Sequence, residues 1–144
     1  MADGAYGNAR VDSLIGRNIG HFRVDSVVGY GGMGAVYRAF DLSLERPVAL
    51  KTVLLDNPQT RALFMREARA QAKLRHANVV PVHFIGDHEG LTYLVMELVE
   101  GESLATKVER DGAVPEARAL EIVDGVAAAL ESAHAQGLIH RDVK

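Results

Sequence analysis

The 144-residue chain contains no cysteine and no tryptophan. Without cysteine it can form neither disulfides nor thiolate metal sites, and its redox compartment stays open. Sixteen basic and nineteen acidic residues give a net charge of −3, which provides no broad positive surface for nucleic acid. No apolar run approaches the roughly 18 residues that a membrane span needs, and the N-terminus lacks the apolar core of a secretory signal. These absences favour a soluble, cytoplasmic domain without a nucleic-acid partner.

Glycine is concentrated in one short stretch, where Gly29, Gly31 and Gly34 form the pattern G-x-G-x-x-G. Dinucleotide-binding turns share this spacing, but there a helix follows the last glycine and its N-terminus holds the pyrophosphate. Here the run 35–40 is rich in β-branched and aromatic residues, and a second apolar run ends at Lys51. The pattern therefore predicts strand, glycine loop, strand, turn and strand, and it argues against a dinucleotide-dependent oxidoreductase.

A glycine hairpin of this kind is typical of phosphate binding. Glycine has no Cβ and tolerates positive φ, so the backbone can close over phosphate groups. Lys51, on the neighbouring predicted strand, can reach the phosphate oxygens as a point charge.

The segment 60–75 has a helical composition, with Leu63, Glu67, Ala70 and Leu74 recurring on one stripe. A carboxylate on an otherwise apolar stripe is costly to desolvate unless it finds a cation. Two interpretations of Glu67 are open: a surface side chain beside neighbouring arginines, or a partner for Lys51.

Three further segments have clear patterns. Residues 22, 24 and 26 alternate with polar neighbours, which predicts a half-buried strand. Residues 82–85 and 91–96 flank a five-residue loop and predict a hairpin. The predicted helices cover 102–110 and 115–136; the apolar stripe of the second comprises Ala119, Val123, Val126, Ala127, Leu130 and Ala133.

The motifs occur in the order found in protein kinases. The glycine pattern with Val36 is followed by V-A-L-K at 48–51, by M-E-L-V at 96–99 and by H-R-D-V-K at 140–144. The sequence resembles the eukaryotic-like Ser/Thr protein kinases of bacteria over nearly all of 19–144. Met96 then matches the gatekeeper at the start of the hinge that holds adenine.

The resemblance implies a role for each matching residue. Lys51 would hold the phosphates of ATP and pair with Glu67, and Asp142 would serve the acceptor hydroxyl. Lys144 would help to neutralise the transferred phosphate, and Arg141 would have a regulatory role, meeting an activation-loop phosphate. The residues matched to ATP binding are Val28, Gly29, Gly31, Gly32, Gly34, Val36, Ala49, Lys51, Met96, Glu97 and Val99.

The implied fold class is α+β, with a five-stranded antiparallel N-lobe sheet, the αC helix of the family and the first helices of an incomplete helical C-lobe. The predicted division is a flexible tail at 1–13, the N-lobe at 14–99 and the start of the C-lobe at 100–144. No metal ligand is expected within the chain, because the catalytic-loop Asn and the D-F-G Asp that hold Mg²⁺ in the family are not in this sequence.

The expected function is therefore the N-terminal part of an ATP-dependent Ser/Thr protein kinase, with ATP and a Ser/Thr-containing protein as partners and inefficient transfer by this chain alone. The alternative is a non-catalytic nucleotide-binding or interaction module. Part of the apolar stripe of the second helix is expected to lack partners and to permit self-association.

Overall fold

A computed structural model describes residues 13–31, 34–53, 57–141 and 143. The predicted tail, apart from Ser13, lies outside these residues, as do Gly32, Asp142 and Lys144. The described elements are, in chain order, β1 (Asn18–Ile19), β2 (Phe22–Gly31), β3 (Gly34–Asp41), β4 (Arg46–Val53), α1 (Pro58–Gln71), β5 (Val82–His88), β6 (Leu91–Glu97), α2 (Leu104–Asp111) and α3 (Glu116–Ala135).

The described residues divide into two compact units. One lies within 1–72 and 81–98 and contains the sheet and α1. The other lies within 73–80 and 99–144 and contains α2 and α3. None of the helices in the described part of the chain has the length and hydropathy needed to span a bilayer.

The sheet is antiparallel throughout, with the strand order β1-β2-β3-β4-β6-β5. It has six strands, so the prediction of five was wrong by one. The additional strand, β1, pairs Asn18 and Ile19 with the beginning of β2. Two residues are too few to show the alternation by which a strand is recognised in a sequence.

One side of the sheet, called the core face here, carries the hydrophobic core. Tyr37 and Leu50 are directly opposite each other on β3 and β4, and both are fully buried. Burial of such side chains stabilises the fold by about 1.5–3 kcal/mol each. The cluster consists of Ile19, Phe22, Val24, Ala35, Tyr37, Ala39, Val48, Leu50, Tyr93 and Val95.

Strand β2 follows the predicted alternation only in its first half. Phe22 and Val24 are buried as predicted, whereas Ser26 is exposed. The register shifts between Val24 and Ser26, so one extra residue interrupts the pairing there. Such a bulge turns the following side chains to the other face of the sheet, which alternation in the sequence does not reveal.

The hairpin of β5 and β6 is tighter than predicted. Its strands extend to His88 and from Leu91, so the turn contains two residues rather than five. Glu89 and Gly90 both have positive φ, 51° and 82°. Two left-handed residues match the twist of the flanking strands and give the preferred short hairpin turn.

Helix α1 is rotated relative to the predicted stripe. Ala68 is 4% exposed, whereas Leu63 is 53% exposed and Glu67 is exposed as well. The helix packs against β5, the edge strand. The predicted stripe is therefore not the packed side at Leu63 and Glu67, and of the two interpretations of Glu67 the structure shows the surface side chain.

The helices of the second unit begin and end close to the predicted positions. The Ser103 side chain accepts a hydrogen bond from the Thr106 amide at the start of α2, and Gly112 ends that helix with φ of 83°. Helix α3 begins after Pro115 and is followed by Gly137 with φ of 75°. A proline just before the first helical residue and a glycine just past the last one are typical helix boundaries.

The packed side of α3 differs in part from the predicted stripe. Ala129 is buried, and Ala119, Leu130 and Ala133 are half-buried. The predicted stripe members Val123 and Val126 are 64% and 46% exposed, and Leu120 is 63% exposed. The expectation that part of this apolar surface lacks partners is confirmed for the described residues.

Candidate nucleotide-binding site

The residues predicted to surround a nucleotide share the side of the sheet opposite the core. Val36 is opposite Lys51, and Lys51 is opposite Leu94. Two residues along β4, Ala49 is opposite Met96. Residues directly opposite each other in an antiparallel pair point to the same side of the sheet, as do residues two apart on one strand. This side, defined by these five residues, is called the lysine face.

The glycine hairpin is built from the ends of β2 and β3. Gly29 is opposite Val36, so it belongs to the lysine face, and Gly31 is opposite Gly34. Val28 is the extra residue at a second register shift and is exposed. Because a strand follows Gly34 where a dinucleotide site has a helix, the structure confirms the hairpin and excludes the dinucleotide-binding turn.

Gly34 is required by the packing of this hairpin. Its φ is 147°, and a Cβ placed on it would be 2.0 Å from the carbonyl oxygen of Thr52. The buried Thr52 hydroxyl bonds the amide and the carbonyl of Ala35, at 3.3 Å in both cases. The glycine motif is thereby fixed to the strand that carries Lys51. Sequence reasoning missed Thr52, whose only signal is a hydroxyl within an apolar run.

At the other end of β6, the predicted hinge begins with Met96, which is half-buried, and Glu97, which is exposed. The Glu97 amide donates to the Pro81 carbonyl at 3.0 Å. That amide is therefore used within the fold, and the predicted contact of Glu97 with adenine stays a prediction. Val99 is exposed and belongs to the second unit.

The predicted ion pair between Lys51 and Glu67 is not formed in the structure. Both residues are described, yet none of the ion pairs between described residues joins them. Glu67 lies on the exposed side of α1, where its carboxylate stays hydrated, whereas pairing would require it to be desolvated at the sheet.

Helix α1 forms a different ion pair with the sheet. Arg61 Nη2 is 2.5 Å from Asp87 Oδ1, and the hydroxyl of the buried Thr92 donates to the same oxygen at 2.6 Å. The Thr92 hydrogen bond, followed by Arg61, lowers the pKa of Asp87. Burial, and then the charge of Asp87, raises the pKa of the neighbouring Tyr93. No pattern in the sequence indicates this cluster, because Arg61 is 26 residues from Asp87 and 31 residues from Thr92.

A comparison with known families decides which of them this arrangement belongs to. The family model described as "Protein kinase domain" matches residues 22–144. The chain belongs to the protein kinase family.

Relatives and solved structures agree with this assignment. The chain is 42% identical over 136 residues to the serine/threonine-protein kinase PknE of Mycobacterium tuberculosis, covering 92% of this chain and 24% of PknE. It is 41% identical to PksC of Streptomyces coelicolor, covering 99% of this chain and 27% of PksC. The crystal structure of the M. tuberculosis PknI kinase domain superimposes with a TM-score of 0.78 at 31% identity.

These comparisons also define the extent of the match. The superposition covers 90% of this chain and 55% of the PknI chain. The chain thus spans about half of that kinase domain and about a quarter of its curated relatives. It is the N-terminal portion of a bacterial-type Ser/Thr protein kinase domain.

The lysine face suits ATP, which kinases in general use with Mg²⁺. Val36, Ala49 and Met96 would provide apolar surface for an adenine ring, and Lys51 would provide a cation for phosphate. The absence of a Cβ at Gly34 lets the loop backbone lie close to the strand of Lys51. ATP would supply the transferable γ-phosphoryl group.

The catalytic loop is described only in part. Asp142 and Lys144 lie outside the described residues, so their predicted roles stay predictions. Arg141 is exposed, with a left-handed φ of 62°. Within the described ranges, no group of three or more His, Asp or Glu side chains is arranged to hold a metal ion.

The second unit contains a contact that sequence reasoning did not assign. The Asn78 amide nitrogen donates to the Gly125 carbonyl of α3 at 3.0 Å, and the Asn78 backbone amide donates to His76 Nδ1 at 3.1 Å. Gly125 lies in the middle of α3, and a Cβ on it would be 3.1 Å from the Asn78 amide nitrogen.

Proposed function

We propose that this chain binds ATP on the lysine face and supplies the nucleotide-binding half of a Ser/Thr protein kinase. The observation that carries the proposal is the strand register, which brings Val36, Ala49, Lys51 and Met96 to one side of the sheet. Membership of the kinase family supports ATP as the ligand. The reaction of the whole kinase would be transfer of the γ-phosphoryl group to a protein Ser or Thr hydroxyl.

Each residue of the site would have a distinct task. Lys51 would hold phosphate oxygens and offset their charge, and Glu67 would position Lys51 when the two are paired. Asp142 would orient and accept the proton of the acceptor hydroxyl, and Lys144 would stabilise charge on the group in transfer. We also propose that the domain works in the cytoplasm, where ATP is available, on a substrate protein that presents Ser or Thr.

Substitution Lys51→Met tests the nucleotide site. Calorimetry with a non-hydrolysable ATP analogue should give saturable binding to the unmodified chain and at least roughly tenfold weaker binding to the variant, because loss of one charge-assisted contact to phosphate is worth about 1.5–3 kcal/mol. Lys73→Met is the matched control, since Lys73 is exposed and lies outside the sheet unit. Equal binding by both variants would contradict the proposal.

A second candidate is a non-catalytic nucleotide-binding or interaction module. The unpaired state of Lys51 and Glu67 in this structure favours it, since the pair positions the lysine during transfer. Radiolabelled phosphate transfer from Mg-ATP separates the two functions. Transfer that Asp142→Asn abolishes supports the kinase, whereas saturable binding without any transfer supports the module.

A further inference from the structure

Two rows of residues cross the lysine face between β4 and β5, and α1 packs against β5. Lys51 is opposite Leu94, which is opposite Ile85 on β5. The next row on the same face joins Val53, Thr92 and Asp87. Asp87 is therefore displaced from Lys51 by two strands, about 10 Å, and by two residues, about 7 Å. Two separate anchor points for α1 thus exist on one face of the sheet.

The two α1 residues that could use these anchors point in different directions. At about 100° per residue, Arg61 and Ala68 lie within about 20° of each other around the helix. Glu67 lies about 120° from Arg61. The Arg61–Asp87 pair and the burial of Ala68 therefore both turn the same side of α1 to the sheet, and this rotation leaves Glu67 exposed.

We propose that Asp87 and Arg61 are positioning residues that hold α1 with Glu67 turned away from Lys51. The Arg61–Asp87 pair and the Lys51–Glu67 pair are alternatives, since the rotation that forms one withdraws the other. Loss of the first pair releases α1 to rotate and present Glu67 to Lys51. This inference rests on the proposed function only where it assigns that pair a role in holding Lys51 for ATP.

Thr92 gives this anchor more rigidity than an ordinary surface pair. The buried Thr92 hydroxyl donates to the same Asp87 oxygen that pairs with Arg61, so the carboxylate is held in position independently of the arginine. The low pKa of Asp87 is consistent with this, because both neighbours favour the charged carboxylate. The anchor lies at the edge strand and restrains the N-terminal half of the helix.

Thiol labelling tests the proposal without nucleotide. The chain has no cysteine, so Leu63→Cys introduces a single reactive site on the exposed side of α1, about 40° from Glu67. In the Asp87→Asn background, labelling at position 63 should slow by at least about threefold, as the inward-facing state becomes the major one. Adding Lys51→Met should restore the fast rate, because the attraction for Glu67 is then lost.

Two controls distinguish rotation from a general loss of structure. Arg69→Cys reports a position that stays exposed in both orientations, and its labelling rate should not change. Glu89→Gln removes the ion pair with Arg17, on the same hairpin as Asp87 but away from α1, and it should leave labelling at position 63 unchanged. Asp87→Asn keeps an oxygen for the Thr92 hydroxyl, and Arg61→Gln breaks the same pair from the helix side.

Unchanged or faster labelling at position 63 in both Asp87→Asn and Arg61→Gln would overturn the proposal, as would slowing that persists with Lys51→Met. Its failure is distinguishable from failure of the proposed function. Slower labelling that Lys51→Met reverses, in a chain that binds no ATP analogue, would support the alternative pairing and refute only the nucleotide site.

Discussion

At the scale of single residues, the glycines of the G-x-G-x-x-G motif have different structural roles. Gly34 has a backbone conformation and a distance to Thr52 that exclude any side chain. Gly29 has open space where a Cβ would be, and it lies on the lysine face. Gly34 is therefore required by the fold, whereas Gly29 is available for the approach of a ligand.

Alanine at each position should separate these duties. Gly34→Ala should lower the free energy of unfolding by at least about 2 kcal/mol, because strain at positive φ adds to the clash with a backbone oxygen. Gly29→Ala should change it by less than about 0.5 kcal/mol. Urea unfolding of both variants measures the difference. Similar losses for the two would show that the backbone relaxes around Gly34.

Single residues also show how far the sequence could predict the site. Lys51 and its neighbours on the lysine face could be placed, because alternation along a strand sets which side each residue faces. The unpaired state of Glu67 could not be predicted. It depends on the rotation of α1, and small differences in packing at Ala68 and Arg61 decide that rotation.

At the scale of elements, α3 contains a glycine that a free helix would not favour. Glycine costs about 1 kcal/mol relative to alanine inside a helix. A Cβ at Gly125 would be 3.1 Å from the Asn78 amide nitrogen, which is tighter than an ordinary contact. Glycine at position 125 thus lowers the helix propensity of α3, but it leaves room for the hydrogen bond that joins the segment 73–80 to this helix.

A double-mutant cycle should show this exchange. Gly125→Ala should stabilise the chain by about 1 kcal/mol in the Asn78→Ala background and by clearly less in the unmodified chain, where the amide must move aside. Thermal unfolding of the four proteins gives the coupling energy. Identical effects in the two backgrounds would mean that Asn78 does not constrain position 125.

Element boundaries were predictable where local chemistry marks them. Pro115 and Gly137 flank α3, and Gly112 ends α2, as the sequence indicates. The short turn at Glu89 was not predictable, because a left-handed glutamate has no signature of its own. Strand β1 was missed since its two residues are recognised only by their partners on β2.

At the scale of the whole molecule, α3 in the second unit carries an exposed apolar stripe. Leu120, Val123 and Val126 recur at helical spacing, and each is at least 46% exposed. Exposure of such an apolar stripe to water is unfavourable, and packing against a second copy of the chain would remove it from water. Self-association stays a prediction, and this stripe is the surface on which we expect it.

Charged residues on that stripe should weaken self-association. The double substitution Leu120→Lys with Val123→Glu leaves the net charge unchanged and should weaken the dimer by roughly tenfold or more, since each buried apolar side chain contributes about 1.5–3 kcal/mol. Analytical ultracentrifugation over a concentration series measures the effect. Ala135→Lys with Ala128→Glu, at exposed positions off the stripe, is the control. An equal effect of both pairs would point to a different contact surface.

The two register shifts in β2 have a consequence for the whole sheet. Ten residues of β2 pair with eight of β3, with Asp25 and Val28 as the surplus. Because β2 is longer than the part of β3 with which it pairs, β2 bends at its bulges, and the sheet curls towards the glycine hairpin. Each surplus residue also reverses the facing of everything beyond it, and two reversals cancel. The strand is therefore bent by two bulges, yet Gly29 stays on the same side of the sheet as Lys51. A single surplus residue would have turned Gly29 to the core face.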